Sequence, residues 1–197
     1  MKDAAGRHVF QKYSMAIAFA SKLISVFPKW LLSFLWSVFD RSESKVAVGV
    51  RYTILKVKVA EVGENVFVGR GVVLKNIEGM VIGNNVSIHA YCYLDGVGGC
   101  TIADNVSIAH GSSIITFDHT WGDEAKPIKY NRTVKDRVAI SEDVWIGCGV
   151  RILAGTVIGS RSVVAAGAVV KGHLAGGMLY GGIPAKAIKC ITQDEKK

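Results

Sequence analysis

The sequence predicts an all-β fold: a parallel β-helix of about five coils, with an N-terminal helical arm and a protruding loop in the middle of the β-helix. Three observations support this prediction. Aliphatic residues recur every six positions between residues 62 and 170, asparagines recur every twenty, and an apolar, basic segment precedes the repeat. An α-helix has a period of 3.6 and an ordinary strand a period of two, whereas three short strands wound into a triangular prism give a sustained period of six.

Positive charge is concentrated near the N-terminus of this 197-residue chain. The first 60 residues hold ten of the 24 Lys and Arg residues but only three of the 16 acidic residues. The remainder is nearly neutral and has no stripe of aromatic and basic residues, which argues against nucleic acid as a partner. The four cysteines show neither C-x-x-C pairing nor zinc-ligand spacing, and no secretory signal is convincing, so a reducing, cytoplasmic location is expected.

Residues 1–45 are the predicted helical arm. Its apolar run, residues 15–39, is interrupted by Lys22, Pro28 and Lys29. A membrane-spanning helix needs about 20 consecutive apolar residues, so two short helices fit better, with Pro28 at the first position of the second. The apolar surface of residues 12–45 then requires cover, either from the protein body or an oligomer partner, or from an anionic membrane that attracts the surrounding basic side chains.

Residues 46–190 are the predicted β-helix domain. One inward aliphatic side chain per strand is expected at Val62, Val68, Leu74, Ile82, Ile88, Leu94, Ile102, Ile108, Ile114, Ile140, Ile146, Ile152, Ile158, Val164 and Val170. Asn65, Asn85 and Asn105 are placed at tight corners, because asparagine tolerates a left-handed backbone. The repeat is lost after Val170, so residues 172–190 are predicted to cap the C-terminal end, and residues 191–197 form a charged tail.

The repeat is also interrupted once in its middle. Ile114 and Ile140 are separated by 26 residues where six would continue the pattern, and residues 115–137 between them are charged and aromatic around His119. This segment is therefore the predicted protruding loop.

Three stretches resemble the hexapeptide-repeat acyltransferases: "DVWIGCGVRILAGTVIG" (143–159), "VVAAGAVVKG" (163–172) and "GGIPAKAIK" (181–189). The similarity extends over about residues 60–190 and is closest to the galactoside, maltose and colanic-acid O-acetyltransferases. The resemblance implies a left-handed β-helix, a homotrimer, and acetyl-CoA as co-substrate in the groove between neighbouring prisms, with no metal. By position, it implies cofactor contacts from Cys148, Ala166, Lys171, Lys186 and Lys189.

The chemistry of these residues is suited to the cofactor contacts that the resemblance implies. Small corner residues let a ligand approach backbone amides, and lysines can meet phosphates. Each lysine could equally be a solvated surface charge, and Cys148 a small corner residue.

The resemblance also implies that His119 is the general base. The segment from Thr116 to Thr120 occupies the place of the family's T-x-x-H-P motif, with Thr120 instead of proline and Asp118 before the histidine. Histidine suits proton transfer near neutral pH, and Asp118 could orient it. Loss of the proline weakens any transfer of a known acceptor to this chain.

Four residues are candidates for acceptor binding, and three of them have an ordinary structural alternative. His89 and Asp95 lie where related enzymes place acceptor-binding residues, but they could be an exposed strand residue and a turn former. Trp121 could stack on a sugar ring or anchor the loop. Asp118 is the fourth candidate.

The predicted function is acetyl-CoA-dependent transfer of an acetyl group to a hydroxyl of a sugar or polysaccharide precursor. An alternative is N-acetylation of an amino or nucleotide sugar, and a distant alternative is a non-catalytic β-helix scaffold. A zinc enzyme of the γ-carbonic-anhydrase type would need three converging histidines, and the spacing of His110 and His119 does not suggest them.

Overall fold

The computed structural model describes residues 5–191 and opens with three helices: α1 (Ala5–Ile24), α2 (Lys29–Phe39) and α3 (Lys45–Lys58). Pro28 is the N-cap of α2 and not its first residue as predicted, and its φ of −63° is that of a helix start. The two expected helices are present, but α1 begins earlier than the apolar run and α3 was not anticipated. Within residues 5–191, no helix combines the length and apolarity needed to cross a membrane.

Helix α3 joins the arm to the β-helix. The Ser44 side chain caps it by accepting a hydrogen bond from the Ala47 amide at 3.2 Å. Ala47, Ile54 and Leu55 are fully or almost fully buried, and α3 contacts α1, α2 and the first coil. The arm therefore covers the N-terminal end of the prism.

The strands of the prism form three parallel sheets, A, B and C. Sheet A contains β1 (Glu61–Val62), β4 (Met80–Ile82), β7 (Cys100–Ile102), β12 (Val138–Ile140), β15 (Val157–Ile158) and β18 (His173–Leu174). Sheet B contains β2 (Phe67–Val68), β5 (Ser87–Ile88), β8 (Ser107–Ile108), β13 (Trp145–Ile146), β16 (Val163–Val164), β19 (Met178–Gly181) and the antiparallel β20 (Lys186–Cys190). Sheet C contains β3 (Val73–Lys75), β6 (Tyr93–Asp95), β9 (Ser113–Ile115), β14 (Arg151–Ile152) and β17 (Val169–Val170).

The predicted fold class is confirmed, with a small correction to the coil count. Five coils use all three sheets, and β18 and β19 add a sixth that lacks a strand in sheet C. The sixth coil escaped prediction because Leu174 follows Val170 by four residues instead of six, which hides the period. The winding is consistent with the left-handed β-helix that the resemblance implies.

The predicted inward aliphatic residues form the core. They are essentially inaccessible from Val68 to Val170, and only Val62 and Leu74 of the first coil are half-buried. A second buried side chain lies two positions before many of them, as at Val86, Val106 and Val144. Many turns of the prism therefore place a second buried side chain beside the inward aliphatic residue, and at Ser112, Thr156 and Ser162 this second side chain is polar.

The predicted asparagine corners lie between sheets A and B. Asn65, Asn85 and Asn105 have φ values of 54°, 56° and 60°, in the left-handed region. The side-chain Nδ2 of Asn65 donates to Asn85 Oδ1 at 3.0 Å, and the side-chain Nδ2 of Asn85 donates to Asn105 Oδ1 at 3.1 Å. Asparagine thus supplies both the backbone conformation and a hydrogen-bond ladder along the corner.

The last strands are covered by the chain that follows them. β20 pairs with β19. Beside sheet C, the Val169 amide donates to Gly182 O at 3.1 Å, and the Ala185 amide donates to Val169 O at 2.8 Å. The segment after the sixth coil therefore occupies the C-terminal edges of sheets B and C.

Candidate active site

His119 lies on an ordered hairpin that leaves the prism between sheets C and A. Strands β10 (Phe117–His119) and β11 (Thr133–Lys135) pair antiparallel, with His119 opposite Thr133. Beyond His119, the Thr120 amide and hydroxyl both donate to Arg132 O, at 3.0 and 2.9 Å. His119 itself is exposed. The backbone therefore holds the imidazole at the surface, where another molecule can reach it.

Asn131 organises the tip of this hairpin. Its side chain is buried; its oxygen accepts from the Asp123 amide at 3.0 Å, and its nitrogen donates to the carbonyls of Asp123, Lys126 and Pro127 at 3.2–3.3 Å. A buried amide that satisfies four backbone groups gives the loop a defined shape. Sequence reasoning missed Asn131, since nothing in its neighbourhood distinguishes it from other polar loop residues.

The base of the hairpin is held by Asp95 and Thr116. The Thr116 hydroxyl donates to Asp95 O at 2.8 Å and accepts from the Gly98 amide at 2.8 Å. Asp95 is 6% exposed, and its Oδ1 accepts from Asn76 Nδ2 at 2.7 Å and from the Val97 amide at 3.0 Å. These contacts are those of a turn former, and acceptor binding by Asp95 remains a prediction.

Asp95 also affects Tyr93, which lies two residues before it on the same strand. The Tyr93 hydroxyl lies 3.5 Å from Asp95 Oδ2, and desolvation of the phenol together with this carboxylate raises the pKa of Tyr93. Tyr93, a phenol that is protonated at neutral pH even at its ordinary pKa, is held further in that form and can donate a hydrogen bond.

Asp118 is paired with Lys171 and not with His119. Its Oδ2 lies 3.1 Å from Lys171 Nζ, and both side chains are about half exposed. Among the described residues, no hydrogen bond joins Asp118 to His119. The pair connects the hairpin to the fifth coil at the corner between sheets C and A, so two residues predicted for different roles meet there.

Other candidates lie on the corner between sheets B and C, here called the BC corner. It consists of residues 69–71, 89–91, 109–111, 147–149 and 165–167 in successive coils. His89, Cys148 and Ala166 are all on it. Within residues 5–191, the backbone amides of Cys148 and Ala166 have no acceptor. Ala166 is exposed and Cys148 partly so, which leaves these N–H groups open to a ligand.

Lys186 and Lys189 are exposed on β20, next to the last coil of the BC corner. Lys186 pairs with Gly181 and Lys189 with Leu179 in the antiparallel register. Two ammonium groups thus lie near the C-terminal end of the corner, where they can meet phosphates.

The candidate residues consequently fall into two groups on opposite edges of sheet C. His119, Trp121, Asp118, Asp95 and Lys171 belong to the edge that bears the hairpin. His89, Cys148, Ala166 and the two lysines of β20 belong to the BC corner. The width of sheet C separates the two groups within one chain.

Tyr91 is a further residue that sequence reasoning missed. Its φ is 61°, whereas the other coils place Gly71, Gly111, Gly149 and Gly167 at the equivalent position with φ between 64° and 71°. A tyrosine in this conformation is strained, yet its ring is 60% exposed. Its position in the column of glycines was visible in the repeat and could have identified it.

Tyr91 is supported by its neighbours in the first coil. The Arg70 guanidinium lies 5.5 Å from the ring centroid, a cation–π distance. A Cβ atom at Gly71 would lie 2.5 Å from the Tyr91 ring, so any larger residue there would require the ring to shift. Residues 5–191 contain no group of three or more His, Cys, Asp or Glu side chains arranged to hold a metal ion.

Comparison with known proteins shows which proteins this chain resembles. Residues 137–172 match the model of the bacterial transferase hexapeptide (six repeats). The structure is similar to galactoside acetyltransferase in complex with coenzyme A, with 28% identity, a TM-score of 0.74 and coverage of 83% of this chain and 80% of that chain. It is also similar to a hexapeptide-repeat acetyltransferase from Vibrio cholerae complexed with acetyl-CoA, with 26% identity, a TM-score of 0.72 and coverage of 82% and 85%.

Curated relatives match over shorter segments. The putative lipopolysaccharide biosynthesis O-acetyl transferase WbbJ of Escherichia coli is 41% identical over 59 residues, 30% of each chain. A 2,3,4,5-tetrahydropyridine-2,6-dicarboxylate N-acetyltransferase of Clostridium perfringens is 46% identical over 57 residues, 29% of this chain and 24% of that protein. The chain thus spans about a quarter to a third of the length of such relatives. The repeat, the coil architecture and these similarities together relate the chain to the hexapeptide-repeat transferases, whose family model matches residues 137–172.

Proposed function

We propose that the protein is an acetyl-CoA-dependent O-acetyltransferase that modifies a hydroxyl of a sugar or polysaccharide precursor in the cytoplasm. The observation that carries the proposal is the exposed His119 on an ordered hairpin, in a fold shared with acetyltransferases that bind CoA or acetyl-CoA. The small residues and open amides of the BC corner support a binding surface for the pantetheine arm. Lys186 and Lys189 are suited to the phosphates of CoA, and Lys171, released from Asp118, could join them.

The chemistry requires one base and no covalent intermediate. As the acceptor oxygen attacks the thioester carbonyl carbon, the His119 imidazole takes the hydroxyl proton. Collapse of the tetrahedral intermediate breaks the carbon–sulfur bond, and the proton passes from His119 to the departing sulfur. The products are the acetyl ester and free CoA thiol. An open corner amide could stabilise the oxyanion.

The proposal includes a homotrimer in which each site is shared between two copies. The hairpin and the BC corner lie on opposite edges of sheet C, and a groove between parallel prisms would bring the hairpin of one copy to the corner of the next. His89 and Trp121 then lie on opposite walls of the groove and are the proposed acceptor contacts.

N-acetylation of an amino or nucleotide sugar is the second candidate function. It is supported by the similarity to an N-acetyltransferase. An amine acceptor would also lose a proton to His119, so the same geometry serves both reactions. A non-catalytic scaffold would leave the exposed histidine and the open amides without a role.

Release of CoA thiol from acetyl-CoA, measured across a panel of sugars, tests the activity. We expect His119→Ala to lower turnover by roughly 10²–10⁴-fold. His173→Ala, which removes an exposed histidine from sheet A, is the matched control and should retain turnover. Full turnover by a folded His119→Ala protein would refute the assigned base, and no turnover with any acceptor would favour the scaffold.

A complementation experiment tests the shared site. His119→Ala and Ala166→Trp would each be inactive alone, because every site lacks either the base or the open corner. Mixed trimers prepared by co-refolding should regain about a quarter of wild-type activity, since one site in four combines two intact groups at random. Absence of any recovery in mixed trimers would place both groups in the same copy.

A further inference from the structure

Helices α1 and α2 and the turn between them expose seven large apolar side chains, here called the apolar face. It consists of Met15, Phe19, Leu23, Val26, Trp30, Phe34 and Val38, whose exposed fractions range from 55% to 85%. Within each helix the spacing of four residues keeps them on one side, at Met15, Phe19 and Leu23 in α1 and at Trp30, Phe34 and Val38 in α2. A soluble surface rarely leaves so many large apolar residues adjacent without a partner.

The apolar face is not the side by which the helices pack on the protein. Phe10, Ile17, Leu32 and Trp36 provide that packing: Leu32 is buried, and the other three are partly buried against the core. The arm therefore has two apolar sides: one is buried against the rest of the chain, and the other, the apolar face, is directed outward. Packing within one chain, one of the alternatives for this segment, explains the buried side but not the apolar face.

Two partners could cover the apolar face, a second copy of the chain or an anionic membrane, and the charge of the arm distinguishes between them. Residues 4–39 contain no Asp or Glu, and Lys12, Lys22 and Lys29 are exposed beside the face. A second copy pressed on this face would bring like charges together. An anionic bilayer offers both the apolar phase and the opposite charge, and each basic side chain near such a surface favours binding by roughly fivefold.

The arm is bonded to one particular end of the BC corner. The Gly71 amide donates to Asp40 O and Oδ1, each at 3.1 Å, and Arg70 forms an ion pair with Glu43 at 3.5 Å. His89 lies one coil further along, at a rise of about 4.8 Å per coil, and Cys148 lies two coils beyond it. The proposed acceptor end of the corner is thus nearest the arm, and the proposed CoA end is farthest from it.

We propose that the apolar face docks on an anionic lipid bilayer and that the acceptor is a glycan carried by a lipid in that bilayer. The second half of this inference rests on the proposed function, whereas the first does not. With the arm on the membrane, a lipid-borne sugar reaches the corner at His89 from the membrane side, and acetyl-CoA enters from the aqueous side.

Vesicle flotation tests the membrane half with the full chain. Phosphatidylcholine vesicles and vesicles that also contain phosphatidylglycerol are compared for wild type, a Phe19→Ser/Trp30→Ser/Phe34→Ser variant and a Lys22→Glu/Lys29→Glu variant. We expect wild type to bind the anionic vesicles, and both variants to bind at least tenfold more weakly. Val73→Ser, which removes an exposed apolar residue from sheet C, is the control and should bind as wild type does.

Two results would overturn the membrane assignment. One is equal binding of wild type and a folded charge variant, which alters only exposed lysines and so preserves the core. The other is a change of oligomeric mass in the triple serine variant, which would assign the apolar face to contacts between copies.

The acceptor half is tested by offering each sugar of the panel both free and as an alkyl-lipid conjugate in anionic vesicles. Wild type should acetylate the conjugate at least tenfold more efficiently, and the triple serine variant should lose this preference while keeping its rate on the free sugar. Equal efficiency on both forms would refute a lipid-borne acceptor. Vesicle binding without acetylation of any acceptor would instead refute the proposed function and leave the membrane surface standing.

Discussion

Replacing Arg51 by methionine should destabilise the protein more than any single change on its surface. Arg51 is completely buried between α3 and the first coil. Its Nε donates to Val68 O at 2.9 Å, and its Nη1 donates to Phe39 O at 2.6 Å and to Ser42 O at 2.8 Å. One guanidinium therefore fastens the end of α2 and the following loop to the β-helix.

The magnitude follows from the groups left behind. Three hydrogen bonds from a charged donor contribute about 1.5–3 kcal/mol each, and methionine replaces none of them. Opposing this is the desolvation of the charge, which lowers the pKa of Arg51 despite the nearby carboxylates of Asp40 and Glu43 and costs several kcal/mol. The expected net loss is about 3 kcal/mol. Arg51→Lys keeps the charge but not the fork of donors, and should cost about 2 kcal/mol.

Urea denaturation followed by circular dichroism measures the loss, with Arg161→Met as the matched control. Arg161 is an exposed arginine whose ion pair with Asp143 has both side chains more than half accessible, so its removal should cost less than about 1 kcal/mol. If Arg51→Met lowers the urea midpoint no more than Arg161→Met does, the guanidinium does not hold the arm, and the reasoning fails.

Three further changes test the corners, the hairpin and the core. Gly147→Ala should destabilise the protein more than Gly149→Ala. A Cβ at Gly147 would lie 2.6 Å from a backbone nitrogen of the next coil, whereas a Cβ at Gly149 is opposed only by the φ of 68°. Equal urea midpoints for the two variants would contradict this expectation. Asp118→Asn should reduce acetyl transfer less than tenfold and be non-additive with Lys171→Met by up to about 1 kcal/mol, whereas a hundredfold loss would mean that Asp118 orients the base. Burial raises the pKa of the Cys100 thiol to about 12 from its ordinary 9.0; its contribution to stability is therefore present below pH 9 and is lost as the pH rises through about 12. Cys100→Ala should flatten the decline in urea midpoint between pH 8 and 11, and an unchanged decline would exclude the thiol as its cause.

The β-helix could be predicted because an aliphatic residue recurs every six positions, once for each strand of the prism. Ile88, Ile108 and Ile146 each occupy the interior of one strand, and a slip of one residue would turn them toward solvent. The asparagine corners can also be predicted, because few residues other than Asn and Gly easily adopt the left-handed backbone conformation that these corners require. Local rules and tertiary structure agree at these positions.

Helix α3 and the sixth coil could not be predicted because local signals there oppose the outcome. Residues 45–58 are rich in β-branched side chains such as Val48, Val50 and Ile54, which favour strands. Burial of one side of α3 on the first coil, together with the bonds of Arg51, outweighs that preference. The hairpin that carries His119 follows from the interruption of the repeat, whereas the pairing of Asp118 with Lys171 does not, since Lys171 is 53 residues distant in the chain.

The covered ends of the prism also govern self-association. A stack of parallel strands ends in unpaired backbone groups that can template further strands from another molecule. Helix α3 lies over the first coil, and at the other end β20 pairs with β19 while residues 182–185 bond to β17. The lysines of β20 add charge to the strand that remains outermost. Covered ends of this kind oppose end-to-end growth into fibres, the hazard of any repeat that ends in unpaired strands.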